Sequence, residues 1–180
     1  MRTYYDDISI DLETVSTRPD AAIVSIGAVC FDRRTGELGP ELHVVCDWLT
    51  DAKGHVHGGT LQWWHRQTPN DVVFSQAIER VPLRRALMEL QEFAAENASA
   101  LTFWWQRGNM DQQWLDNAFE RSAMNAPWNY SQWMDQRTLC RELQRDEVVF
   151  EGNRHDALDD AKHQARCILV ALKTVNSKGK

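Results

Sequence analysis

The sequence predicts a single α/β domain, a central mixed sheet that opens with three sequential strands and is covered by helices. Three observations carry this. The run AAIVSIGAVCF (21–31) is almost wholly apolar and rich in β-branched and small residues, as in a strand buried on both faces. Flanking segments with strand character follow one another without an intervening helical period. From about residue 83 onward, amphipathic helical spacing alternates with a further strand, the pattern of helices packed on a sheet. The length of 180 residues and the 43% hydrophobic content suit one core of ordinary size.

The elements follow in order. Ile8, Ile10 and Leu12 alternate with polar residues and mark the first strand. TVSTRPD enlarges the turn into the second strand, the run 21–31. RRTGELG turns the chain into a third strand at ELHVVCD. Leu83, Ala86, Leu87, Leu90, Phe93 and Ala94 recur at i, i+3, i+4 and i+7, one face of a helix. ALTFWW reads as a strand that stops at QRGN, and Met110, Trp114, Leu115, Ala118 and Phe119 stripe the next helix. A weaker helical pattern covers about Gln136–Gln144. The last helix is expected from about Ala157 to Val175, so the domain occupies residues 1–175, with a frayed tail at 176–180.

Composition removes some function classes. No stretch of about 18 apolar residues exists for a membrane span, and the N-terminal residues lack the apolar run of a secretory signal. Cys30, Cys46, Cys140 and Cys167 form no CxxC pair and read as free, buried thiols of a cytoplasmic protein. Twenty basic against 26 acidic residues give a net charge of −6. Electrostatic wrapping of duplex DNA favours the opposite balance. An enzyme whose carboxylates hold metal ions against a phosphate remains open, because the ions reverse the local sign.

Three acidic positions are candidates for chemistry. Asp11 and Glu13 stand at i and i+2 near the end of the first strand, on one face and roughly 7 Å apart, where they could share divalent cations. A bare DxE is also compatible with an exposed strand end. Asp111 opens the helix after QRGN; the helix dipole favours an acid there, yet the residue shares its face with buried Leu115 and Ala118. In HDALDD (155–160), Asp156 as N-cap and Asp159 at N3 form an acidic capping box. Asp160 is left without a capping duty, and His155 falls just outside the helix.

Acid-x-acid on a first strand, an aspartate opening a middle helix and His-x4-Asp opening the last helix form the DEDDh pattern. The chain resembles the 3′→5′ exonucleases of the ribonuclease H-like superfamily, which include ribonuclease T, oligoribonuclease and polymerase proofreading subunits. IDLETVSTRPDAAIVSIGAVCFD, TLQWWHRQ, DQRTL and HDALDDAKHQA are similar to one subgroup, phage and bacterial enzymes resembling mycobacterial small 3′→5′ exoribonucleases and phage T4 exonuclease A. The resemblance runs from about Ile8 to Ala171 and implies a ribonuclease H-like fold.

It further implies that Asp11, Glu13, Asp111 and Asp160 are metal ligands for two Mg²⁺ or Mn²⁺ ions, with His155 as general base. That set suits phosphodiester hydrolysis, in which two cations about 4 Å apart stabilise attacking and leaving oxygens. Hard cations of this kind take carboxylate oxygens, and histidine exchanges protons near neutral pH. The sequence departs from the family at Gly108-Asn109-Met110-Asp111, where an aromatic residue usually precedes the third acid. Arg107, just upstream, reads as a solvated loop residue or a phosphate contact.

In the family, apolar and aromatic side chains sandwich terminal bases; Leu12, Thr14 and one of Trp63/Trp64 are the candidates, with Arg18, Arg66, Arg137 and Lys162 the nearest cations. One tryptophan of the 63/64 pair is expected in the core and one on substrate, on a strand or turn, while Trp104 and Trp105 pack at a strand end. Arg137 could instead pair with Asp135. His55 and His57, lacking a third ligand, read as a flexible loop near the site rather than a zinc centre. The implied partner is the 3′ end of RNA or DNA, single-stranded or as a 3′ overhang, released as nucleoside 5′-monophosphates. A homodimer is implied by analogy. Two other readings are a catalytically silent nucleic-acid- or partner-binding module and a polymerase-associated proofreading subunit. All five motif positions are filled, whereas a silent relative is expected to have lost at least one.

Overall fold

A computed structural model describes residues 4–67, 72–143 and 148–178, with side chains to residue 173. Strands β1 (Tyr5–Thr14), β2 (Ile23–Phe31) and β3 (Leu38–Val45) form an antiparallel meander. Helix α1 (Gly58–Trp64) and helix α2 (Leu83–Asn97) lead to β4 (Ala98–Gln106), which lies parallel to β1. Helix α3 (Met110–Arg121), the short strand β5 (Trp133–Asp135), α4 (Gln136–Glu142) and α5 (Ala157–Lys178) complete the domain. The strand order is β3-β2-β1-β4-β5, so the sheet is mixed.

Every residue of β2 is buried, as its unbroken apolar run requires, because helices cover both faces of the sheet. On one side Ile8, Ile10 and Leu12 of β1 pack with the α2 stripe and with Leu115, Ala118 and Phe119 of α3. On the other side Val29, Phe31 and Trp105 meet Ala161, Ala165, Ile168 and Leu169 of α5. The alternation of β1 therefore sends Asp7, Ser9, Asp11 and Glu13 toward α5.

Three expectations are corrected, and one strand, β5, was not expected. Trp63 and Trp64 belong to the helix α1, not to a strand or turn; successive helical side chains point about 100° apart, so one faces in and one out all the same. Strand β5 has three residues, too few for a period to register, and is paired to β4 through Trp104 and Trp133. Helix α5 continues to Lys178, past the expected Val175 and into the expected tail. The segment around His55 is pinned rather than a free loop: Ala22 donates to the His55 carbonyl (3.0 Å), His55 to Asp20 (2.7 Å) and His57 to Val15 (2.9 Å). Gln144 and the tail residues 179–180 lie outside the described residues.

The tryptophans divide by environment. Trp104 packs edge-on against Trp128 at 4.9 Å, and Trp128 against Trp133 at 5.0 Å and Phe119 at 5.4 Å, an aromatic cluster under β4 and β5. Trp105 points to the opposite face and is buried there. Both thus serve packing, as expected. Among the described residues no helix is long and apolar enough to cross a membrane. The four cysteines are free and buried.

Candidate active site

The parallel strands β1 and β4 end on the same edge of the sheet, and the N-terminal turns of α3 and α5 meet that edge. In open α/β sheets, this carboxyl end of the strands is where crevices form. Close approach of α5 depends on Gly27, the β2 residue paired with Asp11. A Cβ on Gly27 would lie 2.1 Å from the Ala157 carbonyl carbon, so only glycine lets α5 begin directly over the sheet. On the α3 side, Gly108 adopts φ +97° and donates to Asp135 Oδ1 (2.8 Å). Gln106 Oε1 accepts from Gln112 N (2.9 Å) and caps α3 in place of Asn109.

These supports bring the four expected acids together. Asp111 is buried, and its Oδ1 accepts from Leu12 N at 3.1 Å, tying the start of α3 to the middle of the β1 carboxylate pair. Asp11 Oδ1 accepts from Gln164 Nε2 at 2.6 Å. Asp160 Oδ2 accepts from His155 N at 2.8 Å. Ligand atoms of Glu13, His155 and Asp160 all lie within 4.8 Å of one another. His155 therefore stands at the carboxylates. It adopts φ +64°, a left-handed conformation that costs a non-glycine residue about 1–2 kcal/mol. Its ring packs edge-on against Trp63 at 4.8 Å.

The electrostatics follow from this crowding. Burial, then the charges of Asp111, Glu13 and Asp160, hold the Asp11 carboxyl well above the usual range, against the Gln164 hydrogen bond. Burial, then Asp160, Asp111 and Asp156, do the same to Glu13. Asp111 is pushed up to about 7, chiefly by burial, although the Leu12 N–H opposes it. Asp160 is raised by burial, opposed by the His155 N–H, His155, Arg107 and Arg154. No lysine or arginine among the described residues forms an ion pair with any of the four. Such a recess is costly for a bare protein and suited to divalent cations.

The capping assignment within HDALDD is refined. Asp156 Oδ1 accepts from Leu158 N and Asp159 N, both at 3.1 Å, as an N-cap should. Asp159 reaches back further than a capping box predicts, accepting from Asn153 N at 2.8 Å instead of from the N-cap residue. Gly152, at φ +102°, makes room for that carboxylate: a Cβ there would stand 2.3 Å from it.

Beside Glu13 opens a cavity of about 430 Å³ whose lining includes Leu12, Thr14, His57, Trp63 and Trp64. Trp63 is 40% exposed and Trp64 only 1%, so the pair divides as expected. Trp64 donates to the Thr14 carbonyl at 2.9 Å and belongs to the core. Arg18 turns away onto Asp20 (3.0 and 3.1 Å) and does not line the cavity. Lys162 pairs with Glu41 (2.9 Å). Asp135 takes the backbone N–H of Arg137 (2.9 Å) as the cap of α4.

Sequence reasoning missed Gln164, Gly27, Gln106 and Trp114. Gln164 had a usable signal, lying one turn beyond Asp160 as a polar residue within an apolar stripe. The others depend on contacts between distant segments, such as Trp114 Nε1 donating to the Arg18 carbonyl at 2.8 Å.

Several solved structures share the fold. A full-length 3′-exonuclease superposes with a TM-score of 0.68 at 13% identity over 98% of this chain; the chain spans 62% of that one. The nuclease domain of 3′hExo, a DEDDh family member solved with rAMP, gives 0.63 at 15% identity over 98% of this chain and 95% of that one. S. pombe Pop2p, solved with Mg²⁺ and Mn²⁺, gives 0.63 at 13% identity over 92% and 82%. At these identities the likeness speaks for the ribonuclease H-like exonuclease fold alone. No curated protein sequence matches the chain significantly. Residues 6–172, nearly the whole chain and all five motif positions, match the 3′-5′ exoribonuclease Rv2179c-like domain, and the chain belongs to that family.

Proposed function

We propose that the protein is a divalent-metal-dependent 3′→5′ exonuclease that trims the 3′ end of single-stranded or 3′-overhanging RNA or DNA to nucleoside 5′-monophosphates. One observation carries this reading: four carboxylates converge at a strand edge with no paired cation among the described residues, and a histidine stands against two of them. Asp11, Glu13, Asp111 and Asp160 would hold two Mg²⁺ or Mn²⁺ ions. When bound, such ions polarise a phosphate and acidify water.

The chain's own groups supply the rest. His155 accepts the proton of the attacking water at its imidazole, positioned by its backbone bond to Asp160 and by the Trp63 ring. The solvent-facing Trp63 stacks on the terminal base, a contact tolerant of any base. Leu12 and Thr14 form the wall opposite, fixed by Trp64 from beneath. Gln164 holds the Asp11 carboxylate in register with Glu13. Family membership supports the activity, and the Pop2p structure with Mg²⁺ and Mn²⁺ supports the choice of metals.

The test is incubation of 3′-extended RNA and DNA oligonucleotides with the full-length protein and Mg²⁺ or Mn²⁺. Stepwise shortening with release of 5′-monophosphates is expected, abolished by EDTA and by Asp11→Ala. No shortening by the native chain, or equal shortening by Asp11→Ala, would overturn the proposal.

A further inference from the structure

A second cavity, of about 480 Å³, reaches the carboxylates through Gln164, whose amide holds Asp11. The Trp63 pocket and this cavity share the acidic edge: Glu13 lines the first and Gln164 the second. The character of this second cavity is opposite to that of the catalytic recess. Arg107, Arg137 and Arg141 line it, with Gln136, His163 and Gln164.

These arginines differ from six others in the molecule. Arg18, Arg33, Arg34, Arg85, Arg121 and Arg166 each hold a carboxylate. Among the described residues, the guanidinium groups of Arg107, Arg137 and Arg141 hold none. In a chain with net charge −6, three exposed and unpaired arginines at one cavity are a local reversal of sign. Their placement is also built into the fold. Arg107 precedes the Gly108 turn that delivers Asp111, and the Arg137 guanidinium sits 3.8–3.9 Å from where a Gly108 Cβ would be. Arg137 and Arg141 stand one turn apart on α4, on one face. The side-chain oxygen of Gln164 is buried at this wall without a partner.

We propose that this cavity binds the backbone phosphates of the single strand on the 5′ side of the scissile bond. The inference rests on the exonuclease reading above, which seats the 3′-terminal nucleoside at Trp63 and the scissile phosphate at the carboxylates. The strand then continues away from Trp63, and the arginine-lined cavity is what it meets. Guanidinium forks suit phosphodiester oxygens and carry no base information, which fits a trimming enzyme. The subsite also offsets the repulsion between a polyanion and an acidic protein, so it acts on longer substrates and not on those without upstream phosphates.

The experiment compares the full-length protein with Arg137→Gln/Arg141→Gln, and with Arg34→Gln/Arg85→Gln as a charge-matched control remote from the cavity. Two substrates are used with Mn²⁺: a single-stranded octanucleotide, and the p-nitrophenyl ester of thymidine 5′-monophosphate, which has no upstream phosphate. The ratio of kcat/KM for octanucleotide over ester is expected to fall about tenfold in the cavity variant, mostly through KM, and to hold in the control. In parallel, anisotropy of the labelled octanucleotide on the Asp11→Asn background is followed against salt. Losing two phosphate contacts should flatten the log–log slope by about 1.4. An unaltered ratio together with an unaltered slope would overturn the subsite. Failure of the native protein to hydrolyse either substrate would instead overturn the exonuclease reading, while the salt slope would still report on the cavity.

Discussion

Asp7 and Asp11 lie on the same face of the same strand, four residues apart, and their surroundings make them opposites. Asp7 is buried but neutralised: Arg33 grips both carboxylate oxygens, and Trp105 Nε1 donates to Oδ1 at 2.7 Å. Asp11 faces three further carboxylates and receives one neutral amide. A buried acid with a fork of donors is finished structure. A buried acid among acids stores unfavourable charge that a cation or a proton relieves. The contrast shows how one strand carries both a staple and a proposed metal seat, with the distinction made by partners that come from elsewhere in the chain.

The sharpest way to break this comparison is to neutralise each acid in turn. Asp11→Asn is expected to lower kcat by about a thousandfold or more, roughly 4 kcal/mol of barrier, while the metal-free melting temperature holds or rises. Asp7→Asn is expected to do the reverse, leaving kcat within a few-fold and costing about 2 kcal/mol, since half-exposed Arg33 retains solvent. Calorimetry beside steady-state kinetics reads both. Loss of stability in Asp11→Asn would contradict the stored-charge reading.

Gly27→Ala probes the approach that creates the acidic recess. The added methyl meets the Ala157 backbone and must displace the start of α5. A cost of about 2–3 kcal/mol and a rate loss of about a hundredfold are expected, as Asp160 shifts with its helix.

The acids also set a pH signature in the metal-free protein. Asp111 rises from its ordinary 3.8 to about 7, and Asp11 and Glu13 rise too, because burial and mutual repulsion disfavour their charged forms. The folded state then binds protons more tightly than the unfolded one. The contribution of Asp111 to stability is full below about pH 4 and is lost as pH climbs through 7, and Asp11 and Glu13 act in the same direction. Melting without metal should therefore improve from pH 8 to pH 5.5, and saturating Mn²⁺ should remove most of that dependence. Asp111→Asn would shrink that slope.

The smallest expected effect separates the neighbours Asp159 and Asp160. Asp159→Asn weakens the acceptor for Asn153 N and should cost about 1 kcal/mol with little change in rate. Asp160→Asn should abolish turnover in a folded protein. Equal losses of activity would erase the division between cap and ligand.

Much of this was legible in advance. The unbroken run of β2, the stripes of α2, α3 and α5 and the alternation of β1 are local periodicities, and each was found within a few residues of its observed limits. The five DEDDh positions were legible through the resemblance to a family, since the local signals are weak one by one, and the fold brings all five together. Short or glycine-started elements, β5 and α1, were not, since three or seven residues leave no period to read. The split of Trp63 from Trp64 was foreseen as a split, but which ring faces solvent depended on where α1 packs.

The sequence by itself determined the sheet-and-helix class, the order of the carboxylates and the Asp156 N-cap of α5, because backbone periodicity and hydrogen-bonding chemistry act over a few residues. Tertiary structure alone decided that Asp7 is paired and Asp11 is not. It also placed Gln164 on Asp11 across 153 residues, and three arginines around one cavity. Such choices rest on contacts between segments far apart in the chain, and a single sequence has no local pattern that encodes them.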